Sequence, residues 1–345
     1  MEQSFYPEVF RCDRNLSLEL SGILMGVGTV DRASKYEKLN EKIAEIKEEV
    51  GKVMVGQEEV IDQILVSILC DGNILLESNP GMGKTKMVHT LSKVIGLDFN
   101  RIQSTPDLMP SDITGTHIIE EDDNSTDFVF QKGPIFSNMI LVDEINRATP
   151  KTQSALLEAM QEKQVTVGNQ SYSLDEPFFL MATQNPIEQE GTYPLPEAQR
   201  DRFMMKVELD YPKTGEEREI VDRFTSELDF SPDLKKVISK KSLIRMQEFT
   251  REVPIADDIR DRAIMAVKNT RKNENLDYGA SPRASMQLVL AAKARALLEG
   301  RNHVSTSDVN EMAKPILRHR IGLSFQAEKE GKTEDSVIEN IINSL

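Results

Sequence analysis

One stretch constrains the fold of this chain more than any other, because an apolar run ends there in a glycine-containing loop and an amphipathic helix follows. The run covers residues 74–76, and the loop from Ser78 to Thr85 has the sequence SNPGMGKT. Apolar residues at helical spacing then continue to Gly96. The loop departs from the phosphate-binding pattern G-x-x-x-x-G-K-[ST] at one position, where Ser78 replaces the first glycine. Strand, loop and helix in this order predict the start of an α/β domain.

The backbone amides of this loop are expected to bind phosphate groups. Gly81 and Gly83 permit several amides to converge on one anion, and the N-terminus of the following helix adds partial positive charge. Lys84 is expected to bridge the outer phosphates, and the Thr85 hydroxyl to ligate Mg²⁺. The structural alternative is an ordinary turn with a surface lysine and a threonine cap. We predict that the nucleotide contacts Asn79, Pro80, Gly81, Met82, Gly83, Lys84 and Thr85.

Two adjacent carboxylates follow a second apolar run. The run covers residues 139–142, and Asp143 and Glu144 come directly after it. Carboxylates beside a buried strand are costly without a partner. In a nucleotide site, Asp143 would hold Mg²⁺ and Glu144 would orient and polarise the water that attacks the terminal phosphate. The alternative is two exposed acids that begin a loop, but their occurrence together with the glycine loop favours the nucleotide interpretation.

Short apolar runs alternate with helix-like or polar segments over much of the chain. Helical spacing begins at Tyr36 and, after a break at Gly56, resumes as a second helix that ends near Gly72. Further apolar runs lie at residues 99–102, 178–182 and 205–209. This alternation predicts a mainly parallel sheet covered by helices.

Two segments interrupt the alternation, and the strand signals end after them. A turn at residues 120–127 and a segment at residues 164–174 predict hairpin insertions, the second with Gly168 and Asn169 at its tip. Beyond Tyr211, only amphipathic helical spacing is found. We therefore predict a poorly ordered extension at residues 1–35, an α/β nucleotide-binding domain at residues 36–211 and an all-α domain at residues 212–345.

Composition and charge exclude several classes of protein. The 345 residues carry 42 Lys and Arg against 57 Asp and Glu, a net charge of −15, and a broad nucleic-acid-binding surface needs clustered cations instead. Cys12 and Cys70 form neither a disulfide framework nor a zinc pattern. No uncharged apolar run approaches the ~18 residues that span a bilayer. The apolar residues 16–30 are interrupted by Glu19 and lack a cleavage signal. We expect a cytoplasmic protein without membrane insertion.

Four further segments carry a resemblance to a known family. They are DEINRA at residues 143–148, ATQNPIEQEGTYPLPEAQ at residues 182–199, DRF at residues 201–203 and ILRHRI at residues 316–321. Together they resemble the MoxR family of AAA+ ATPases, and the resemblance extends from about Tyr36 to Ile321. It implies an AAA+ P-loop NTPase core, with a parallel sheet and hairpin insertions, followed by an all-α lid domain.

The resemblance also implies roles for residues outside the glycine loop. Asn185 matches sensor 1, which positions water or reads the terminal phosphate, whereas a turn asparagine before Pro186 is the alternative. Arg202 matches the arginine finger that one subunit inserts into the site of its neighbour. Arg283, which opens a helix behind a serine cap and a proline, matches sensor 2 of the lid.

Some of these assignments leave alternatives open. Arg200 stands where the family has an apolar residue, and either Arg200 or Arg202 would pair with Glu197 in a purely structural arrangement. Arg283 would otherwise be a solvated arginine. Gly56 and Gln57 resemble the segment that passes the adenine ring, although Gly56 is equally explained as a break between two helices.

Magnesium-dependent ATP hydrolysis is the activity that the resemblance implies. ATP turnover in MoxR proteins drives chaperone-like remodelling, maturation or metal-cofactor insertion of a client protein complex, often beside a partner with a von Willebrand factor A domain. We expect a homo-oligomer, as a hexameric ring. A nucleic-acid motor is the alternative, and the acidic charge and scarcity of aromatic residues disfavour it. A scaffold that binds ATP without turnover is disfavoured by Glu144.

Overall fold

The computed structural model describes residues 27–122, 125–185, 191–226, 230 and 232–345. Three predicted features fall partly outside the described residues. They are the extension up to residue 26, the tip of the first hairpin at residues 123 and 124, and residues 186–190 of the motif that follows Asn185. No helix of the described part is both long and apolar enough to cross a membrane.

The chain alternates helices and strands from Val27 to Leu209, as the sequence predicts. The helices of this part are α1 (Val27–Gly51), α2 (Glu58–Leu69), α3 (Lys84–Ile95), α4 (Pro110–Thr114), α5 (Pro150–Glu162) and α6 (Glu197–Arg200). The strands are β1 (Ile74–Ser78), β2 (Phe99–Gln103), β3 (Gly115–Asp122), β4 (Ser125–Lys132), β5 (Met139–Asp143), β6 (Gln164–Val167), β7 (Gln170–Ser173), β8 (Phe179–Gln184) and β9 (Met205–Leu209). Short 3-10 turns lie at Pro134–Phe136 and Ile145–Arg147.

Five of the strands form one parallel sheet in the order β2-β5-β8-β1-β9. Successive residues of a strand point to opposite faces. Ile74 and Leu76 join an apolar cluster with α1, α2 and α3, while Leu75 joins a second cluster with α5. Because both faces of the central strands β1, β5 and β8 are buried, these strands are largely apolar runs in the sequence, whereas the edge strands β2 and β9 contain exposed polar residues. The predicted parallel sheet is confirmed.

Both predicted hairpin insertions are present as antiparallel ribbons. Strand β3 pairs with β4, and β6 pairs with β7 across a turn at residues 168 and 169. The two ribbons touch, because the rings of Phe130 and Tyr172 stack with centroids 4.0 Å apart. Farther along the first ribbon, the cross-strand pair of Ile119 and Phe128 is exposed by 57% and 73%.

Helices dominate the chain after β9. They are α7 (Thr214–Thr225), α8 (Lys240–Glu252), α9 (Asp257–Thr270), α10 (Pro282–Leu298), α11 (Thr306–Leu317), α12 (Phe325–Lys329) and α13 (Glu334–Asn343). Two very short strands, β10 (Leu276–Tyr278) and β11 (Gly322–Leu323), pair antiparallel among them. The helical lid that the sequence predicts is present, and this ribbon is an addition to it. Strands of three and two residues are too short to leave a periodic pattern.

A shared apolar core joins the helical part to the sheet. Helices α8 and α10 pack on α2, and residues of all three belong to the cluster that covers one face of the sheet. The predicted boundary between residues 211 and 212 falls between β9 and α7, and the apolar packing continues across it. The division into domains at this point therefore stays a prediction.

Helix α1 begins at Val27 rather than at Tyr36 and so lies partly inside the predicted extension. The early turns contain glycine, threonine and serine, which have low helix propensity and hide the helical pattern. Farther along, Leu39, Ile43 and Ile46 are buried at the spacing that predicts one helix face.

The segment with the sequence ILRHRI is buried against the chain just before β9. His319 is only 2% exposed, and its Nε2 lies 3.2 Å from the carbonyl oxygen of Phe203. Burial, together with the charge of Arg320, lowers the pKa of His319 well below its usual value. The folded protein therefore holds this imidazole neutral.

We expect the stability of the protein to fall between pH 6.5 and pH 5.5 through His319. The unfolded chain binds a proton on this residue below its ordinary pKa of about 6.5, and the folded chain does not. The free energy of unfolding should therefore decrease as the pH falls, by up to about 1.4 kcal/mol per pH unit. Urea unfolding of the parent and of His319→Asn measures this term as the difference between the two slopes. His303→Asn, at an exposed histidine, is the control. Equal slopes for parent and His319→Asn would contradict the assignment.

Candidate functional site

The carboxyl ends of β1, β5 and β8 meet at one edge of the sheet, where parallel strands bring their following loops together. A cleft of about 390 Å³ opens at this edge. Its walls are formed by Ser78, Pro80, Gly81, Met82, Gly83, Lys84, Thr85, Lys86, Arg101, Gln103, Asp143, Glu144, Thr183 and Asn185. The cleft thus combines the glycine loop, the acidic strand end and Asn185, which the sequence predicted from separate segments.

The glycine loop has the backbone that a phosphate cradle requires. Gly81 and Gly83 have φ angles of +84° and +75°, in the left-handed region that favours glycine. A side chain at Gly81 would meet no atom within 4 Å, so the space above the loop is open. Ser78 is buried at the end of β1, and its hydroxyl donates to the carbonyl of Asn79 at 3.1 Å. The replacement of the first glycine by serine therefore needs no left-handed residue. Asn79 itself does not line the cleft.

Positive charge gathers where the loop meets α3. The ammonium of Lys84 lies 3.4 Å from the carbonyl oxygen of Ser78, and partial burial lowers its pKa against the attraction of Asp143 and Glu144. No acidic residue stands in the first turn of α3. The positive end of the helix dipole is therefore available to an anion in the cleft.

The two carboxylates at the end of β5 have different surroundings. The Asp143 carboxylate is 8% exposed, and its Oδ2 lies 2.5 Å from Nε of Arg101. Its Oδ1 accepts a hydrogen bond from the Thr183 hydroxyl at 3.3 Å. Glu144 has a φ of +54°, donates its backbone N–H to the Thr183 hydroxyl at 2.8 Å, and pairs through Oε2 with Arg147 at 2.9 Å. Thr183 thus fixes both acidic residues.

Sequence reasoning missed Arg101, Gln103 and Thr183. Arg101 and Gln103 point to the same side of β2, and the guanidinium of Arg101 also donates to the Gln103 side chain at 2.9 Å. Two polar residues at alternate positions of a strand were a signal that something polar lies beside them. The sequence does not show which residues these side chains contact, because only the strand order places β2 beside β5.

A second, apolar cavity adjoins the glycine loop. It measures about 150 Å³ and is lined by Val53, Met54, Val55, Gln57, Gly81, Met82, Gly83, Lys86, Pro212, Ile220 and Phe224. Gln57 is one of these lining residues, and its side-chain oxygen is buried without a hydrogen-bond partner among the described residues. Gly56 does not line this cavity. Gly56 has a φ of +66°, in the left-handed region that favours glycine, and a Cβ at this position would lie 2.5 Å from the carboxyl carbon of Glu216, at the flexible end of a side chain of α7.

The remaining predicted residues lie outside the cleft. Arg202 follows the end of α6, is half-buried, and forms no side-chain hydrogen bond or ion pair within the part of the chain that the structure describes. Arg200 donates to the Tyr278 hydroxyl at 2.9 Å rather than to Glu197. Arg283 contacts Asp201, with its guanidinium 3.7 Å from the carboxylate. The two arginines that the resemblance assigns to nucleotide thus lie beyond the walls of this chain's own cleft.

Comparisons with known proteins agree with this geometry. Residues 73–205 match the family described as ATPase family associated with various cellular activities (AAA), and residues 268–341 match the AAA lid domain. Chaperone MoxR1 of Mycobacterium tuberculosis is 40% identical over 92% of this chain and 84% of that protein. The uncharacterized protein YeaC of Bacillus subtilis is 42% identical over 90% of this chain and 96% of that protein. A crystal structure from Cytophaga hutchinsonii is 43% identical, with a TM-score of 0.84 over 92% of this chain and 97% of that chain.

Replacing Arg101 with methionine should destabilise the nucleotide-free protein. The buried Asp143 carboxylate would keep the Thr183 hydroxyl as its hydrogen-bond partner and would lose its ion pair. The loss is expected to be about 1–2 kcal/mol, because Arg101 is half-exposed and the pair is partly screened by water. Urea unfolding with a chelator measures it. Lys206→Met is the matched control, since Lys206 pairs with the more exposed Glu77 on the same sheet. A loss no larger than that of the control would refute the role of Arg101.

Proposed function

The chain belongs to the MoxR family of AAA+ ATPases, and on that premise we propose that it binds Mg·ATP at the carboxyl edge of its sheet and hydrolyses it. One observation carries this proposal. The glycine loop, the Lys84 ammonium and the adjacent acids Asp143 and Glu144 face one another across a single cleft. A surface turn and two solvated acids would have no reason to converge in this way.

The cleft fits a triphosphate. The open space above Gly81, the amides at the start of α3 and the Lys84 ammonium together provide the donors and the positive charge that phosphate requires. Lys86 adds a second cation at the edge shared with the apolar cavity. We propose that Pro80, Met82 and Thr85 complete this phosphate contact.

The donor set also fits magnesium. The Thr85 hydroxyl and the Asp143 carboxylate are hard oxygen ligands of the kind that Mg²⁺ takes when it bridges phosphates. When bound, the ion would neutralise charge that develops on the terminal phosphate. Arg101 occupies Oδ2 of Asp143 at 2.5 Å, so ligation through that oxygen requires the guanidinium to withdraw.

Glu144 is proposed to polarise the attacking water, with Asn185 positioning it. The left-handed backbone of Glu144 and its hydrogen bond to Thr183 hold the residue at the edge of the cleft. Its carboxylate is paired with Arg147. To accept a proton from water, this carboxylate must turn away from Arg147 toward the phosphates.

The apolar cavity beside the loop is proposed to take the adenine ring. Its size and its apolar lining by Val55, Ile220 and Phe224 suit an aromatic base. The unpartnered oxygen of Gln57 is a hydrogen-bond acceptor. Adenine carries an amino donor at the position where guanine carries a carbonyl acceptor, so this oxygen favours ATP over GTP. We propose that Gly56 contributes through its left-handed backbone, which turns the chain into Gln57.

A composite site between subunits is the proposed assembly. Arg202 lies outside its own cleft and has no internal partner within the described residues, as expected of a finger directed at a neighbour. A head-to-tail contact whose rotation between subunits closes generates a ring, and we propose a closed hexamer. Arg283 would act as sensor 2 only after it leaves Asp201 and the lid closes on the nucleotide.

We propose a cytoplasmic remodeller as the biological role. The name of the Mycobacterium tuberculosis relative, Chaperone MoxR1, supports action on a client protein. The exposed pair of Ile119 and Phe128 on the first ribbon supports an apolar client contact. Maturation or metal-cofactor insertion, beside a von Willebrand factor A domain partner, is the form proposed for this action. The relatives give the nucleic-acid motor no support.

Lys84→Ala should abolish tight nucleotide binding. Loss of the ammonium removes charge-assisted contacts to phosphate, and we expect the Kd for ATP to rise by about 100-fold. Titration with a fluorescent ATP analogue in magnesium measures the change. Lys93→Ala, at an exposed lysine of the same helix, should leave the affinity unchanged. Equal affinities for Lys84→Ala and the parent would refute the phosphate site.

Glu144→Gln should retain nucleotide binding and lose turnover by about 10²–10⁴-fold, because the amide cannot accept a proton from water. Arg202→Ala should also bind nucleotide and lose turnover, by about 10³-fold or more. The two inactive proteins, mixed, should recover activity, since an Arg202→Ala subunit keeps Glu144 and receives Arg202 from a Glu144→Gln neighbour. Phosphate release measures all three. A mixture as inactive as its components would count against a shared site.

A further inference from the structure

A buried arginine of the lid holds the chain on both sides of Arg202. The side chain of Arg320 is 1% exposed. Its guanidinium donates to the carbonyl oxygens of Asp201 at 3.3 Å and Met204 at 3.0 Å, and also to that of Phe203. Three of the four peptide carbonyls from residue 201 to residue 204 are therefore bound by one side chain, and only that of Arg202 is left out.

The same guanidinium binds the Asp201 side chain. Nε of Arg320 lies 2.9 Å from Oδ1 of Asp201, and the Ser281 hydroxyl donates to both carboxylate oxygens at 3.0 Å. Ser281 precedes α10 but forms no helix cap with its side chain. Arg283 also reaches Asp201, at its backbone oxygen and its carboxylate. Asp201 is thus the point where three lid residues meet the chain that carries Arg202.

This arrangement does more than fill space. Burying a cation is costly, and an apolar residue of similar volume often packs as well or better. Burial lowers the pKa of Arg320 to about 10, so the guanidinium is still charged at neutral pH. Two of its acceptors belong to the lid, the carbonyl of Ile316 and the side chain of Gln287, and the others belong to residues 201–204. This short stretch lies outside any helix or strand, between α6 and β9, and its amides bond to residues 197–200 and to Asn73. The carbonyls that Arg320 binds therefore add a second anchor, from the lid side.

We propose that Arg320 is a positioning residue for Arg202. By holding the carbonyls before and after Arg202, it fixes the direction in which this side chain leaves the subunit and so its reach into the neighbouring site. Arg320 is not among the residues that line the cleft of its own subunit. The proposal rests on the composite site proposed above. Because Arg283 shares Asp201, the lid of one subunit and the finger offered to the next are mechanically connected.

Mixing experiments distinguish this role from a structural one. Arg320→Met should bind the fluorescent ATP analogue with affinity within about threefold of the parent and lose turnover by about 100-fold, the cost of a misplacement of about 1 Å. Mixed one to one with Glu144→Gln, it should recover activity. Its subunits keep Glu144 and receive a correctly held Arg202 from the neighbour, at about one quarter of the sites of a randomly mixed ring.

Arg318→Met is the matched control. Arg318 lies two residues away, is 12% exposed, and pairs with Glu208 of β9 and Asp335 of α13. It therefore joins the lid to the sheet without touching residues 201–204. Arg318→Met should keep turnover within about threefold of the parent, because the finger is still held. A loss equal to that of Arg320→Met would overturn the proposal by showing that any lid contact matters.

Two further outcomes are decisive. If Arg320→Met fails to recover with Glu144→Gln while Arg202→Ala does recover, Arg320 acts in its own site and the proposal is wrong, although the composite site stands. If neither mixture recovers, the composite site itself fails and the proposal with it. Should Arg320→Met not fold by circular dichroism, Arg320→Lys provides the same test. It keeps the charge at Asp201 but cannot bind all three carbonyls.

Discussion

The buried carboxylate of Asp143 is the constraint on which the candidate site depends. A negative charge at the end of a fully buried strand needs partners, and the sheet provides them from both neighbouring strands. Arg101 comes from β2 on one side and Thr183 from β8 on the other. Lys84 faces the same carboxylate from the glycine loop. The polar network is therefore a product of strand order. It contains both cationic groups, Arg101 and Lys84, and a carboxylate, Asp143, so it suits an anionic phosphate and a metal cation together.

A second buried charge organises the contact between the lid and the chain just before β9. Arg320 carries its positive charge into the contact between lid and sheet, where Asp201 and three backbone carbonyls receive it. The apolar core is continuous from α1 to α10, so the lid and the sheet are one packed unit on that face. Within this unit, the segment at residues 201–204 is held both by these polar contacts and by the buried side chains of Phe203 and Met204.

Predictions from the sequence were reliable wherever a pattern is local. The continuous run at residues 139–142, the hairpin tip at residues 168 and 169, and the buried positions of α1 from Leu39 onward follow from strand, turn and helix periodicity. The start of α1 at Val27 and the ribbon of β10 and β11 were missed. In the first case low helix propensity hides the pattern, and in the second the strands are too short to have one. The position of Arg283 on Asp201 was missed because both its proposed ligand and its solvated alternative ignored a residue 82 positions away.

What the sequence alone determined is the chemistry that one short segment contains: the glycines with left-handed φ at residues 81 and 83, the lysine after them, and the two acids that end an apolar strand. Such features depend on neighbours within a few residues, so their pattern survives in one dimension. The tertiary structure decided which segments face each other. It placed Arg101 on Asp143, Gln57 beside the glycine loop and Arg320 around Arg202. Each of these contacts joins distant parts of the chain, and only the strand order and the packing of helices on the sheet bring such parts together.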